Sequence, residues 1–471
     1  MGTHRLLLAA AAVSLALFGA GCSPAPSAPA NASAPAVKGE RFPDRAGWRH
    51  VRLAGTPREI GFQHGSLLSA EILDAKQAVE LLVTHDTKKD WNWIRNAARE
   101  VFWPKVDAEY REEMEGIVDG LKSKGVALDV WDVTALNAWM EIAWYYVPSL
   151  EKLAKAKNKT PEHCSAFVAT GSYTKDGGVV IAHNAWVDFI IGQRWNVIFD
   201  IRPEKGERMI MDGIPGMIHS GDDFVINSAG LAITETTISE FSGFDPAGVP
   251  EFVRARKAAQ YGRTIDDFAR IMKDGNNGGY ANNWLVADRN SGEIASLELG
   301  LKNVILQRKK DGYFAGANFP VDEKLRREET TFDPKNAGNS SNARRVRWTQ
   351  LIEANKGKID VAMAQTFLGD DFDVVQKKRA ASERTLCGRI DLSPRGSLPW
   401  QQPYGPCGAV QNKAADGAMM GKMQLNAAMG PQCGPAFRVE SFLKAHPEYA
   451  WQKPLLRDLD AQPWTLFEAG R

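Results

Sequence analysis

The pattern of apolar residues changes at residue 164, and this change limits the folds that the chain can adopt. Before it, apolar residues recur at helical spacing, as in REIGFQHGSLLSAEILDAKQAVELL. After it come pairs of short strand-like runs, beginning with SAFVATGSY and GVVIAHN around an Asp-Gly turn. Helical stretches such as FVRARKAAQY separate later pairs. Strand pairs between helices predict an α+β fold with sheets packed between helices.

The first 45 residues predict export followed by a tether. Residues 1–22 combine a basic start, a short apolar run and small residues before Cys22, which is typical of a signal peptide. The ending G-A-G-C resembles a lipoprotein box whose cysteine is acylated; plain cleavage and secretion are the alternative. Residues 23–45, rich in Pro, Ala and Ser, predict an unstructured tether. We expect a bacterial envelope protein on the periplasmic side, anchored to the membrane through Cys22.

Charge and motifs exclude several classes of function. The 58 basic and 57 acidic side chains leave a net charge of +1, which argues against nucleic acid as a partner. The chain has no G-x-S-x-G elbow, no H-E-x-x-H and no close Cys/His set, so neither a serine hydrolase elbow nor a metal site is predicted. The glycine-rich GNNGGY precedes a strand rather than a helix, which excludes a phosphate loop.

The cysteines divide into two groups. Cys387, Cys407 and Cys433 lie close together in the sequence, and in an oxidising compartment two of them are expected to pair, although the sequence does not decide which two. They flank or lie within a tail, from Ser393 onward, whose Pro, Gly and Gln content predicts irregular structure. Cys164 stands apart from all of them.

Cys164 is a candidate nucleophile. A free thiol has a pKa near 8.5, so modest activation ionises it. If the peptide bond between His163 and Cys164 were cut, the new α-amine, with a pKa of about 7.7–8.0, would lie beside the sulfur and could accept its proton. The alternative is an ordinary small buried thiol.

Five segments in the first 300 residues match, in order, the pattern of one family. They are GTPREIGFQHG, HCSAFVATGSYTKDGGVVIAHNAW, IPGMIHSGDDF, GLAITETTI and YANNWLVAD. Together they resemble the phospholipase B-like family of N-terminal nucleophile hydrolases, which are related to the isopenicillin acyltransferases. A further likeness surrounds Arg389 and Asp391.

The resemblance implies a four-layer αββα sandwich that cleaves itself before Cys164. A helical fragment over residues 46–163 and a catalytic fragment over residues 164–471 would then form one domain. The expected reaction is hydrolysis of an acyl ester bond in a lipid or phospholipid, without metal or cofactor. Amide hydrolysis or acyl transfer on N-acyl amino acids or peptides is the alternative within enzymes. A non-catalytic envelope lipoprotein, left uncut, is the alternative outside them.

The resemblance also implies roles for individual residues. The Cys164 sulfur would attack the acyl carbonyl with its own amine as general base, and Asn282 or Asn283 would donate to the developing oxyanion. His183 would polarise the site or position substrate, or be an ordinary buried histidine.

Other residues are implied in binding. Asn184 and Trp186 would contact substrate, with Trp186 in the pocket wall. Arg389 would hold a substrate carboxylate or phosphate, or simply pair with Asp391. Acidic residues that could orient these groups, or merely cap turns, are Asp222, Asp223 and Glu235.

Overall fold

The structure is a computed structural model that describes residues 39–150, 164–221, 224–396 and 402–470. Several predictions concern residues outside these ranges: the signal peptide, the lipidation of Cys22, most of the tether, the cleavage partner His163, and the roles of Asp222 and Asp223.

The larger sheet has nine strands within the described residues. Neighbouring strands are antiparallel except for one parallel pair, the second and third in spatial order, which a long helical connection separates in sequence. The order is β1 (Glu40–Arg45), β2 (Trp48–Gly55), β5 (Val197–Pro203), β6 (Met209–Gly213), β7 (Val225–Asn227), β8 (Leu231–Thr237), β9 (Asn282–Asp288), β10 (Glu293–Leu299) and β11 (Val304–Lys309).

The smaller sheet has six strands in the same described part of the chain, and all its pairs are antiparallel. Its order is β12 (Gly312–Gly316), β3 (Ser165–Thr170), β4 (Val180–Asp188), β15 (Cys407–Asp416), β16 (Gln424–Met429) and β17 (Thr465–Glu468). A separate two-residue ladder joins β13 (Phe372–Asp373) and β14 (Lys378–Arg379).

Helices connect and cover the sheets. They are α1 (Pro57–Leu67), α2 (Ser69–Thr87), α3 (Trp91–Ala97), α4 (Ala108–Ser123), α5 (Val130–Glu141), α6 (Val147–Leu150), α7 (Phe189–Gly192), α8 (Glu251–Tyr261), α9 (Ile265–Lys273), α10 (Glu323–Glu329), α11 (Ser340–Ala354), α12 (Val361–Leu368), α13 (Gly417–Gly421) and α14 (Val439–Ala445). Among the residues described, no helix is both long and apolar enough to cross a bilayer.

The two sheets pack face to face through alternate residues of their strands. In β3, Ala166 and Val168 lie in this inter-sheet core, and in β9 Leu285 and Ala287 lie there too. The residues between them in sequence belong to other clusters on the outer faces. This period of two is what strands buried on both faces require.

Helices cover both outer faces. Phe167 of the smaller sheet packs with Trp348 of α11 and Phe367 of α12. On the larger sheet, Trp284 packs with Phe268 of α9, and the helices α1 to α5 pack around β2, β5 and β6. The predicted four-layer αββα sandwich is therefore confirmed.

Glycines let two helices of the first layer touch along their backbones. A Cβ on Gly61 of α1 would lie 1.9 Å from the carbonyl oxygen of Glu113 in α4, and one on Gly120 would lie 2.3 Å from the carbonyl oxygen of Phe62. Side chains at these positions would force the helices apart. This contact holds α1 and α4 together in the first helical layer.

Some local predictions were wrong. The tether predicted over residues 23–45 ends too late, because Glu40–Arg45 pair with β2 as β1. The single helix expected over residues 58–82 divides at Leu68 into α1 and α2. The strand, turn, strand pattern at residues 304–316 was right, but its two strands belong to different sheets.

The tail was also predicted wrongly. It contains β15, whose ten buried or nearly buried residues lie inside the smaller sheet between β4 and β16. The tail also contains α13, β16, α14 and β17. Of the three cysteines left open, Cys387 and Cys433 form the disulfide, while Cys407 remains a buried thiol outside it.

Removal of the disulfide is expected to lower stability measurably. The Cys387→Ala/Cys433→Ala variant should lose about 2–4 kcal/mol of unfolding free energy, because the bond closes a loop between residues 46 apart and restricts the unfolded chain. Urea unfolding measures the loss. Cys407→Ser is the control that keeps the bond, and equal stability of wild type and double variant would contradict the prediction.

His64 makes stability depend on pH. Its Nε2 accepts the Gly216 N–H at 2.9 Å, which requires a neutral ring. Burial, with a smaller effect from Arg256, lowers the pKa of His64 to about 3. The unfolded chain binds a proton near pH 6.5 that the folded chain does not bind, so His64 destabilises the folded state as pH falls below 6.5.

We expect this penalty to grow by about 1.4 kcal/mol per pH unit between pH 6.5 and 3. His64→Gln keeps an acceptor for the Gly216 N–H and removes the titration, so wild type should lose stability relative to the variant on acidification. Urea unfolding at pH 7.5, 6.0 and 5.0 measures the difference. His85→Gln, at a partly exposed histidine near the end of α2, is the control. Parallel pH curves for wild type and His64→Gln would contradict the prediction.

Candidate active site

Cys164 lies at the head of β3, immediately before its first residue. The β3–β4 pairing sets Ser165 opposite Asn184 and Ala166 opposite His183, as the Asp-Gly turn predicted. Cys164 has a φ of 83°, an unusual value for a residue with a side chain. Its side chain is 2% exposed in the uncut chain.

Three chemically reactive side chains meet here. The Cys164 sulfur, a ring nitrogen of His183 and a carboxylate oxygen of Glu235 lie within 4.8 Å of one another, and all three residues are buried. They come from β3, β4 and β8, so the cluster joins the two sheets. Tyr280 donates its hydroxyl to Glu235 at 3.3 Å.

A buried ion pair neighbours His183. Lys413 is the register partner of His183 on β15, and its Nζ lies 3.1 Å from Asp212 Oδ2 and 2.6 Å from Gln411 Oε1. Both Lys413 and Asp212 are fully buried. Burial, aided by the Lys413 charge, holds the pKa of His183 well below its ordinary value. His183 is therefore a neutral imidazole at physiological pH.

Arg344 of α11 holds the main chain of Cys164. Its Nη1 donates to the Cys164 carbonyl oxygen at 2.6 Å and to Ser165 Oγ at 3.0 Å, while its Nη2 donates to Asn318 Oδ1 at 3.0 Å. The guanidinium also lies 4.2 Å above the Trp186 ring. A buried cation is thus fixed beside the candidate nucleophile.

The structure distinguishes the two candidate oxyanion donors. Asn283 accepts the Ser296 hydroxyl at 2.7 Å, so its side chain belongs to the inter-sheet polar contacts. Asn282 is fully buried, and its amide nitrogen and oxygen have no hydrogen-bond partner among the described residues. Such a buried amide needs an explanation, and a reacting group is one.

The backbone beside Asn282 is linked to Cys164 through Arg344. Asn282 is the register partner of Thr237, whose carbonyl accepts the Asn318 amide at 2.9 Å. Asn318 in turn binds Arg344, which binds Cys164. The oxyanion role of Asn282 or Asn283 stays a prediction, and Asn282 is the one whose amide has no partner among the described residues.

The predicted substrate contacts of Asn184 are not supported. Its Oδ1 accepts the Ser165 N–H at 3.0 Å and the Trp186 Nε1–H at 3.1 Å, and its Nδ2 donates to the Leu386 carbonyl at 2.7 Å. With both ends of the amide used inside the protein, Asn184 is a structural clamp on the hairpin. Trp186 packs in a buried cluster with Ile390 on the outer side of the sheet. Its role as a pocket wall stays a prediction.

Arg389 takes the structural role that was its alternative. Its guanidinium donates to both carboxylate oxygens of Asp391, at 2.9 and 2.7 Å, and to the carbonyls of Cys433 and Pro435. It is fully buried. These bonds hold the tail beside the disulfide. They use the donors of the guanidinium within the protein rather than for a substrate anion.

Sequence reasoning missed two residues of the site. Arg344 lies in the helix SNARRVRWTQ beside Arg345 and Arg347, and nothing in that pattern separates the buried arginine from its neighbours. Lys413 had a signal, since it is a lone cation within the apolar strand CGAVQNKAA. A charge at such a position indicates a buried partner.

Two solved structures match this chain at low similarity. A mutant of conjugated bile acid hydrolase from Clostridium perfringens has 12% sequence identity and a TM-score of 0.34, and the match covers 56% of this chain and 88% of that one. Penicillin V acylase from Agrobacterium tumefaciens has 12% identity and a TM-score of 0.33, covering 56% and 83%. Likeness at this level carries no conclusion about activity.

Similar sequences occur in archaea, fungi and animals. An uncharacterised protein of Archaeoglobus fulgidus is 27% identical over 236 residues, 48% of this chain and 39% of that protein. The acyl-coenzyme A:6-aminopenicillanic-acid-acyltransferase 40 kDa form of Emericella nidulans is 27% identical, with 48% and 57% covered. Phospholipase B-like 1 of Bos taurus is 22% identical, with 56% and 54% covered. The chain thus spans between 39% and 57% of these relatives' lengths.

The family model described as phospholipase B matches residues 63–462, which is more than half of the chain. The match covers every residue of the cluster around Cys164 and all strands of both sheets except β1, β2 and β17. The predicted resemblance is confirmed, and the chain belongs to the phospholipase B family.

Proposed function

We propose that this protein hydrolyses acyl ester bonds of lipids or phospholipids with Cys164 as nucleophile, after self-cleavage of the His163–Cys164 peptide bond. The observation that carries the proposal is the setting of Cys164. The Cys164 thiol, at the head of β3, lies within 4.8 Å of the neutral His183 ring and the buried Glu235 carboxylate. The buried Arg344 guanidinium donates to the Cys164 carbonyl oxygen.

Backbone strain supports cleavage at this bond. With a φ of 83°, the Cβ of Cys164 crowds the preceding peptide unit, and a side-chain-bearing residue in such a region costs on the order of 1–3 kcal/mol. Hydrolysis removes that peptide unit, so the strain disappears with the bond. The hydrogen bonds from Arg344 hold Cys164 in this conformation before the cut.

The proposed cleavage follows ordinary thiol chemistry. The Cys164 sulfur attacks the His163 carbonyl carbon, the C–N bond breaks, and the Cys164 nitrogen leaves as an amine. Water then hydrolyses the resulting thioester, which frees the thiol and leaves a carboxylate on His163. The product has both groups of the predicted nucleophile, a thiol and its own α-amine.

Ester hydrolysis uses the same atoms. The α-amine takes the thiol proton, the sulfur attacks the acyl carbonyl, and the oxyanion accepts a hydrogen bond from Asn282. The alcohol leaves with the proton from the ammonium group, and water, deprotonated by the amine, releases the fatty acid from sulfur. The Arg344 cation favours the thiolate form of a neighbouring cysteine.

An amide substrate is the second candidate, and one observation favours it. The acyltransferase of Emericella nidulans, whose name states an acyl transfer to an amine, matches 48% of this chain. The nucleophile and oxyanion donor would be the same for both bonds. The lipid ester remains our first choice because the family model matched is phospholipase B.

We further propose that the protein acts on the periplasmic side of a bacterial envelope, held by a lipid on Cys22. A lipid-anchored enzyme and a lipid substrate would share one surface, which raises their encounter rate. Secretion without an anchor is the alternative. Mass spectrometry of the membrane-extracted protein, searching for an acylated Cys22, separates the two.

Cleavage is tested by N-terminal sequencing of the denatured protein. We expect wild type to yield two fragments, one beginning at Cys164, and to release fatty acid from phospholipid vesicles. Cys164→Ala should remain one chain and lose activity, because both reactions need the sulfur. Cys407→Ser, which removes the other buried thiol outside the disulfide, is the matched control and should behave as wild type.

The outcomes separate the three candidate functions. An uncut wild-type chain with full activity would overturn the mechanism, and an uncut inactive chain would favour a non-catalytic protein. Cleavage of Cys164→Ala at the same bond would mean that another protease makes the cut. Comparing matched fatty-acyl esters and amides distinguishes an esterase from an amidase.

The oxyanion donor is tested by two asparagine variants. Asn282→Ala should lower kcat about 100–1,000-fold, which is the usual loss when one oxyanion donor is removed. Asn283→Ala loses only the contact with Ser296 and should change kcat little. Steady-state kinetics on cleaved protein measures both, and a larger loss for Asn283→Ala would reverse the assignment.

A further inference from the structure

The cluster of Cys164, His183 and Glu235 has the composition of a metal site. Thiolate and imidazole are ligands that zinc and other late first-row cations prefer, and a carboxylate completes a common zinc ligand set. No local sequence pattern indicated such a site, because the three residues lie on three strands of two sheets. The three residues are at most 2% exposed.

The geometry is close to what a zinc ion requires. Usual Zn–S, Zn–N and Zn–O bond lengths place tetrahedral ligand atoms about 3.4–3.6 Å apart. The three ligand atoms lie within 4.8 Å of one another, so side-chain movements of about 1 Å bring them to the spacing that zinc needs. No change of the strands is needed.

Neighbouring groups support the three ligands. Metal-ligating histidines normally hydrogen-bond a backbone carbonyl or carboxylate through the second ring nitrogen, and the Glu235 main chain lies next to the His183 ring. Tyr280 donates to the Glu235 carboxylate. These contacts orient His183 and Glu235 in the way that hydrogen-bond partners around a metal site orient its ligands.

Charge also favours a divalent cation. A thiolate and a carboxylate supply two negative charges, which balance one divalent ion. The nearby Lys413 has its own counter-ion, Asp212, at 3.1 Å. Arg344, which donates to the Cys164 carbonyl oxygen, is another buried cation beside the cluster.

We propose that Cys164, His183 and Glu235 form a binding site for zinc or a similar thiophilic divalent cation, which masks the sulfur when bound. Coordination forms a metal–sulfur bond and releases the thiol proton to solvent. Where the chain has been cut, the α-amine of Cys164 supplies a fourth ligand. A masked sulfur cannot attack a carbonyl, so the metal is a reversible inhibitor; this last step alone depends on the proposed function.

Cobalt titration tests the site directly. Apo protein treated with chelator should bind one Co²⁺ per chain and develop a thiolate-to-cobalt charge-transfer band, which Zn²⁺ then displaces. Cys164→Ser should lose the band. His183→Ala and Glu235→Gln should each weaken cobalt binding by roughly 10–100-fold or more, since removing even an outer-shell partner has an effect of that size. Cys407→Ser should bind as wild type.

Folding is monitored by far-ultraviolet circular dichroism of each variant, and the wild-type result stands without the variants. Absence of the band in wild type, or its persistence in Cys164→Ser, would overturn the proposal. Zinc should also abolish fatty-acid release, and chelator should restore it. Cobalt binding without any hydrolysis would support the metal site and contradict the proposed enzymatic function. Hydrolysis without the cobalt band would support the enzymatic function and contradict the metal site.

Discussion

Two sheets can pack face to face only where the polar side chains between them have partners, and this constraint accounts for the site. Most of the inter-sheet core is apolar. Near the start of β3 the apolar packing gives way to His183 and the fully buried Lys413–Asp212 pair. Removing one member of such a pair would leave a buried uncompensated charge, which is strongly destabilising. The cluster around Cys164 depends on this polar region.

The helical layer then determines the conformation of Cys164. Arg344 reaches from α11 to its carbonyl and to Asn318, and Asn318 binds Thr237 on the other sheet. One arginine therefore joins a helix and both sheets at the residue whose backbone is strained. Strain of this kind persists only where the surroundings impose it. The same hydrogen bonds that hold the fold together thus prepare the bond before Cys164 for the proposed cleavage.

Local sequence pattern predicted individual helices and strands well, but it predicted poorly which strands pair with each other. The β3–β4 hairpin was predicted because an Asp-Gly turn joins adjacent runs, and α8 was predicted as a helical stretch. The pairing of β11 and β12 with different sheets, and of β15 with β4, depends on contacts between residues far apart in sequence. The sequence left the roles of Asn184 and Arg389 undecided for the same reason, since a polar residue in a family segment does not reveal whether its hydrogen bonds are already used within the protein.

The sequence by itself determined the change from helices to strand pairs, the place of Cys164 before a hairpin, and membership of the phospholipase B family. These follow from periodicity, turn chemistry and ordered segments, all of which are local. Only the tertiary structure decided that Cys387 pairs with Cys433, that Asn282 rather than Asn283 keeps an unengaged amide, and that Glu235 lies beside Cys164 and His183. Those outcomes depend on burial and on distances across two sheets, which no local pattern contains.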